Sequence, residues 1–511
     1  MKEPGEIPTA SDKGWAWVVL AAAFTNAMLL AGYMKGIGVF FVEWQENFGA
    51  NAKDVGWVGV IIGFFTSVGA LLAGALATRL ACQKVIIIAG LLFAASVAAG
   101  SFTSDMWQLY ITNCIAGISL GLCLQPGWTS IGYNFHRWLG LANGVSSAGV
   151  GMGIVALPPL IQFFCNKVGW RGALQVTGAF MVMTSVCGVL VRPTPKELFL
   201  IKQRENTKKV TTSERRQRCS VTLESGVVVY RETLFEKLIS APVHSVTDNL
   251  GLKLLVQHPR FLIICIANAL VGYSYYSGLV FFQSKVVYDN NIPKLQASYL
   301  TSAIGVGSII GRVASGFVVD FKILSPRFLY GIANLFCSLF SFANPFVSTY
   351  SMLIAIAVWF GLFSGLSYSM AVYCARLCVP ADKVSSSIGV VLLSEGVGVL
   401  FGVFFMGLIR DLTSNYDMSF LMCGGSFVLA SVVVFCDSFY LEITERRRST
   451  HEEDIKDTDH VTKSSNDEER KKEENANVNQ AYDAEEEDSG KCVISIVSAT
   501  NAVLQSDKNC R

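Results

Sequence analysis

Long apolar blocks, broken by short polar connections, set the pattern of this chain. Twelve blocks fall near residues 14–42, 55–80, 85–103, 109–131, 138–165, 170–191, 261–282, 298–319, 328–347, 351–378, 384–409 and 419–441. Each approaches or exceeds the roughly 20 residues that a helix needs to cross about 30 Å of hydrocarbon. A single long polar break, residues 192–260, follows the sixth block. Lipid offers no partner to a backbone amide, so blocks of this length are expected to be helices whose hydrogen bonds close internally. The expected fold is an all-α membrane protein of twelve transmembrane helices in two six-helix halves. Its segments are an N-terminal stretch 1–13, a first half 14–191, a central loop 192–260, a second half 261–441 and a tail 442–511.

Charge suggests the orientation. The break carries Lys202, Arg204, Lys208, Lys209, Arg215, Arg216 and Arg218, and the tail opens with Arg446, Arg447 and Arg448. Positive residues gather on the cytoplasmic side, which puts both regions in the cytoplasm and, with an even span count, the N-terminus too. The short loops divide more evenly, so the argument rests on the break and the tail. The tail is acidic in patches (452–454 and 485–488) and lacks long apolar periodicity, the composition of a disordered segment. A short apolar stretch at 492–497 is its candidate docking element, and residues 233–239 in the central loop have the pattern of a helix lying along the membrane surface. The first 13 residues show no short apolar core, so no cleaved signal peptide is expected. No Asn-x-Ser/Thr sequence occurs, so N-glycosylation is not expected either.

Composition narrows the class. Of 511 residues 52% are hydrophobic and only 16% charged, outside the usual range of soluble domains. A net charge of +2 gives no bulk attraction for nucleic acid. The cysteines sit mostly singly in apolar blocks (Cys114, Cys123, Cys187, Cys265, Cys337, Cys423 and Cys436), without metal-ligand spacing, and read as small buried hydrophobes. The five histidines, His136, His244, His258, His451 and His460, fall in loops and tail and form no catalytic or ligand motif. No enzyme, metal or cofactor is implied, and no repeated filter-like loop suggests a channel.

Two cations inside the apolar blocks carry the candidate chemistry: Lys35 in the first and Arg312 in the eighth. An uncompensated lysine at the centre of a membrane helix costs roughly 3 kcal/mol on insertion scales, so such residues usually face a water-filled path or a partner. A guanidinium can take a carboxylate through two parallel hydrogen bonds, and a lysine at depth can exchange a proton. A carrier for a small organic anion is the expected function. Against this, Lys35 could reach the interface near Glu43, and Arg312 could bridge Asp320 two turns on. A non-transporting sensor on a carrier fold would share the same sequence features.

Six plus six spans with a long middle loop resembles the plan of the major facilitator superfamily. Its loop between spans 2 and 3 survives as a remnant, Gly74 to Arg79 with Lys84, where Thr78 replaces the usual acid; Arg312, Gly316 and Asp320 keep the equivalent spacing in the second half. Closer resemblance is to the monocarboxylate transporter family. Asp12-Lys13-Gly14-Trp15-Ala16-Trp17 is similar to its signature at span 1. Tyr133 to Gly144, with Phe135, Arg137, Leu139, Leu141, Ala142 and Asn143, followed by Gly149, is similar to its signature at span 5. Gly169-Trp170-Arg171-Gly172, Arg192-Pro193 and the stretch from Gly402 to Phe420 with Asp411 and Tyr416 extend the likeness over nearly all of 14–441.

The resemblance implies a secondary transporter of lactate, pyruvate or ketone-body type in the plasma membrane, with a proton as candidate co-substrate and a single-span immunoglobulin-like glycoprotein as candidate partner. It implies Lys35 and Arg312 at the substrate, Lys35 and Glu395 as proton-coupling candidates, and Val372 at the position that limits substrate size. Asp12, Trp15, Trp17, Arg137, Gly144 and Asp320 are gating or structural candidates. The chain departs from the family where an aspartate one turn before the arginine becomes Ser308, and where Gly-Pro-Pro in span 11 becomes Gly402-Val403-Phe404. These departures lead us to expect weak pH dependence, or dependence on Glu395. They leave room for an uncoupled facilitator of larger or neutral solutes such as aromatic amino acids, thyroid hormone or creatine.

Overall fold

Helices carry nearly all of the chain described by the computed structural model, which covers residues 12–49, 52–77, 80–203, 251–290, 292–380, 383–413 and 416–440. The stretches 233–239 and 492–497, the acidic tail, Thr78 and Arg79 lie outside the described residues. The long helices are α1 (Trp15–Phe48), α2 (Ala52–Leu76), α3 (Cys82–Ala99) and α4 (Met106–Asn134). Then come α5 (139–168) and α6 (170–190), α7 (Pro259–Tyr288), α8 (Lys294–Asp320), α9 (Pro326–Ala343), α10 (Tyr350–Leu377), α11 (Val384–Thr413) and α12 (Asp417–Tyr440).

Ten helical stretches among the described residues are long and apolar enough to span a bilayer. One of them, Leu139–Leu190, is 52 residues long and folds as two spans, because Gly169 takes φ 72° and ψ 171° and reverses the chain between α5 and α6 without a loop. A side chain would strain that conformation. The 18-residue α9 is the remaining span, which makes twelve. Helix boundaries follow the apolar blocks, with two longer extensions, one in α7 past residue 282 to Tyr288 and one in α1. α1 continues past residue 42 to Phe48 because its inner face stays apolar: Trp44 is buried and stacks on Phe40 at 5.4 Å, and Phe48 meets Trp170 at 5.8 Å.

Each half builds its own core. In the first, Leu30, Tyr33, Phe40, Phe93, Leu120 and Leu157 pack together, with α1 against α5 and α2 against α4. In the second, Phe282, Phe340, Phe360, Phe420 and Phe427 form an aromatic centre, Phe340 stacking on Phe360 at 4.3 Å, while α7 packs on α11 and α8 on α10. The outer surface is apolar too, with Ile88, Leu92, Val189, Ile310, Phe404 and Leu429 exposed, as a lipid-facing wall requires. Cys436 lies on that wall and Cys114 is half-buried, so these two cysteines are not the buried hydrophobes that their apolar neighbourhoods suggest.

The halves meet along two crossings, α5 with α8 and α2 with α11. At the first, a Cβ on Gly144 would run into the carbonyl oxygen of Arg312, so glycine lets the two backbones touch where the buried arginine sits. Inter-half hydrogen bonds gather at the end where α4 and α10 finish and α5 and α11 begin. Gln125 Nε2 donates to the Ser385 carbonyl at 2.6 Å and its hydroxyl at 3.1 Å, Asn143 Nδ2 to the Ser369 carbonyl at 3.1 Å, and the Ser147 and Ser369 hydroxyls lie 2.8 Å apart. The halves are thus closed on each other at one end. That end also holds the start of the central loop, where the buried Glu197 carboxylate accepts from the Cys82 amide at 2.7 Å and caps α3.

Overpacking a tight helix contact costs about 1–3 kcal/mol. Gly144→Val is therefore expected to lower the thermal midpoint of the purified protein by several degrees, with Gly144→Ala between. A midpoint unchanged in Gly144→Val would refute the close crossing.

Candidate functional site

Between the halves lies a cavity of about 100 Å³, several times the roughly 10–15 Å³ that a single water requires. The first half contributes Met34 and Lys35 from α1, Thr66 and Ser67 from α2, and Leu120 and Leu124 from α4. The second contributes Tyr275 and Tyr276 from α7, Arg312 from α8, Tyr368 from α10, and Leu392 and Glu395 from α11.

Three ionisable groups predicted from sequence line this one space. Arg312 is only 1% exposed. Its Nε donates to the Ser308 hydroxyl at 3.1 Å, and its guanidinium lies 4.5 Å from the centre of the Tyr368 ring. The Nη1 atom has no hydrogen-bond partner among the described residues. Lys35 does not reach the interface near Glu43; its Nζ sits 4.1 Å from the centre of the Tyr276 ring, joining the halves across the cavity. A ring face attracts a cation and leaves its hydrogen bonds unspent. Glu395 is within electrostatic range of both cations. Among the described residues none of the three makes an ion pair within 4.0 Å. The cavity thus holds two cations and one acid, with donors still open.

The bridge from Arg312 to Asp320 is not formed. Asp320 instead accepts from the Gly140 amide at 2.8 Å and the Leu141 amide at 2.7 Å. These are free N–H groups at the start of α5, where a carboxylate is favoured by both hydrogen bonding and the helix dipole. An acid at the end of α8 therefore caps a helix of the opposite half. Val372 is likewise absent from the cavity wall; it is buried with Ala70, Trp128, Ile388 and Leu392, one turn below. The wall position on α10 is Tyr368, four residues earlier.

The remaining predicted residues lie at the closed end. The Asp12 carboxylate accepts from the amides of His136 and Arg137 at 2.7 and 2.8 Å, fastening the start of α1 to the turn before α5. Trp15 Nε1 donates to the Leu190 carbonyl at 2.9 Å, and Arg192 stacks on the Trp15 ring at 3.9 Å. Trp17 meets Phe135 edge-on at 5.5 Å, and the Arg137 guanidinium lies 5.4 Å from the Trp138 ring. The span 1 and span 5 motifs thus bind each other. Tyr275, Tyr276 and Tyr368 are cavity residues that sequence reasoning missed. For Tyr368 a signal existed, since it lies one helical turn from the residue singled out.

The Major Facilitator Superfamily model matches residues 17–320 and 264–475. Human monocarboxylate transporter 2 is 26% identical over 459 residues, covering 89% of this chain and 92% of that protein. Mouse monocarboxylate transporter 12 is 26% identical over 452 residues, covering 88% and 90%. Rat monocarboxylate transporter 3 is 29% identical over 425 residues, covering 82% and 79%. Among solved structures, the proton:xylose symporter XylE bound to 6-bromo-6-deoxy-D-glucose superposes with a TM-score of 0.59 at 14% identity, covering 82% of this chain and 95% of that one.

Losing a helix cap costs about 1 kcal/mol, a roughly fivefold shift in a two-state equilibrium. Asp320→Ala should accordingly open the closed end several-fold more often. A cysteine placed at Ser386, on the α2–α11 crossing, is expected to react several-fold faster with a thiol reagent in that background, and an unchanged rate would remove Asp320 from the closure.

Proposed function

The chain belongs to the Major Facilitator Superfamily, and on that footing we propose that it is a secondary transporter moving a small organic monocarboxylate across the plasma membrane by alternating access. The observation that carries this reading is the buried Arg312 guanidinium with an open donor in a cavity it shares with Lys35. A carboxylate entering there offers the missing acceptors, and a low-dielectric site makes that pairing strong. The relatives named as monocarboxylate transporters support the same class.

In this reading Arg312 and Lys35 bind the carboxylate from opposite halves, and the substrate helps draw them together. Glu395 is the proton carrier. Protonating it removes the negative charge facing both cations and strengthens their pull on an anion, so uptake rises as the external pH falls. Ser308 cannot take that part, which keeps the dependence shallow. Both termini are cytoplasmic, with the 1–13, 192–260 and 442–511 segments on that side. A single-span immunoglobulin-like glycoprotein accompanies the chain to the surface. The three tyrosines on the wall favour one competing reading, a facilitator of larger aromatic or neutral solutes.

Radiolabelled pyruvate or lactate uptake in oocytes tests the core of this. Lys35→Ala and Arg312→Gln are each expected to cut uptake at least about tenfold at unchanged surface amount, and normal uptake in either would take that residue out of the site. A competition panel in which aromatic or neutral solutes block uptake and small carboxylates do not would favour the competing reading.

Uptake over a pH series should show modest acid stimulation in the parent, none in Glu395→Gln and a steeper response in Ser308→Asp. Stimulation that survives Glu395→Gln would move the proton to Lys35. For the partner, full surface delivery in cells lacking such glycoproteins would refute the dependence.

A further inference from the structure

Among the described residues the second half contains four buried or largely buried cations whose surroundings differ in one respect. Lys285 has Asp417 at 2.7 Å and Arg327 has Asp437 at 3.3 Å. Arg312 and Arg376 have no acid within ion-pair distance among the described residues. Arg312 belongs to the cavity. Arg376, 8% exposed, lies at the closed end, in the last turn of α10.

Among the described residues Arg376 makes one hydrogen bond, from Nη2 to the Trp128 carbonyl of the opposite half. Its Nε and Nη1 have no partner among the described residues. The groups that face it electrostatically are the phenols of Tyr373 and Tyr133, and no carboxylate is among them. Gly132 flanks it, where a Cβ would stand 3.7 Å from the guanidinium carbon. An orphaned buried guanidinium nitrogen is costly, and a merely structural arginine would be expected to have its donors filled.

Its position gives those donors a use. Tyr368, Val372 and Arg376 follow one another at four-residue intervals on one face of α10. Tyr368 lies under Arg312 in the cavity wall. Val372 belongs to the apolar floor formed with Ala70, Trp128, Ile388 and Leu392 from three other helices. Arg376 comes next, about 12 Å along the helix from Tyr368.

We propose that Arg376 is a second anion-binding station beyond the apolar floor, which receives the carboxylate as the halves part at the closed end. This rests on the transport reading above. Parting breaks the bond to the Trp128 carbonyl, so the guanidinium is freed at the moment the path past the floor opens. An anion crossing an apolar constriction then meets a cation on each side, Arg312 before it and Arg376 after it. The station acts from one side of the membrane only, because in the closed arrangement the floor separates it from the cavity.

Sided kinetics of the full-length protein test this, with pyruvate as the probe. Zero-trans uptake and zero-trans efflux are measured in the parent, Arg376→Gln and Arg376→Lys. Arg376→Gln is expected to raise the efflux KM about tenfold while leaving the uptake KM within about twofold, and Arg376→Lys to recover most of the loss. Equal KM values in both directions with faster turnover would make Arg376 a latch only and overturn the station. An unchanged efflux KM in Arg376→Gln would overturn it as well. Should Arg376→Gln fail to reach the membrane, the efflux KM of Arg376→Met against Arg376→Lys decides by the same criterion. A parent that moves no carboxylate in either direction would sink the transport reading, and the station with it.

Discussion

A guanidinium buried to 1% exposure in a membrane protein is the constraint around which this structure is arranged. Such a group cannot face lipid and must be held by neighbours. Here the neighbours are a hydroxyl on its own helix, Ser308, a ring face from α10, Tyr368, and the space between the two halves. None of these is an acid, and Glu395, which faces it electrostatically, makes no ion pair with it among the described residues. The charge stays available because its helix is pressed against α5 at Gly144, which fixes the backbone of Arg312 without engaging its side chain.

The same crossing joins the cavity to the closed end. Asp320 sits two turns after Arg312 on α8 and caps the start of α5, so one helix carries both the cavity cation and the clasp on the opposite half. In the first half, Thr78 stands where the superfamily's acid would be, and the seam leans on polar contacts such as Gln125 with Ser385. The two sides of the closed end are therefore chemically unequal, α8 being held to α5 by a carboxylate on helix N–H groups and α11 to α4 by neutral hydrogen bonds.

Much of this was legible in the sequence because the governing physics is one-dimensional. Apolar block length gave twelve spans, the cost of charge in hydrocarbon marked Lys35 and Arg312, and the family resemblance marked Glu395, in advance of any geometry. Other features depended on side-chain direction, which spacing alone leaves open. Asp320 lies on α8 about 12 Å beyond Arg312, further than the one-turn spacing at which helical side chains pair, and it points across the seam to unsatisfied amides. The resemblance implies Val372 at the size-limiting position, yet one turn of helix separates it from the wall residue Tyr368. The far end of α1 was cut short because Glu43 and its neighbours look polar in sequence, whereas the helix keeps an aromatic inner face through Trp44.

The glycine seam also bears on inherited variation. Any base change in the first two positions of a glycine codon that still encodes an amino acid adds at least a Cβ. At residue 144 that atom meets a carbonyl oxygen of the opposing helix, and the backbone cannot step aside as a side chain would. Even the smallest missense change at this position therefore bears on how the halves fit and, through the Arg312 backbone it meets, on where the cavity cation sits.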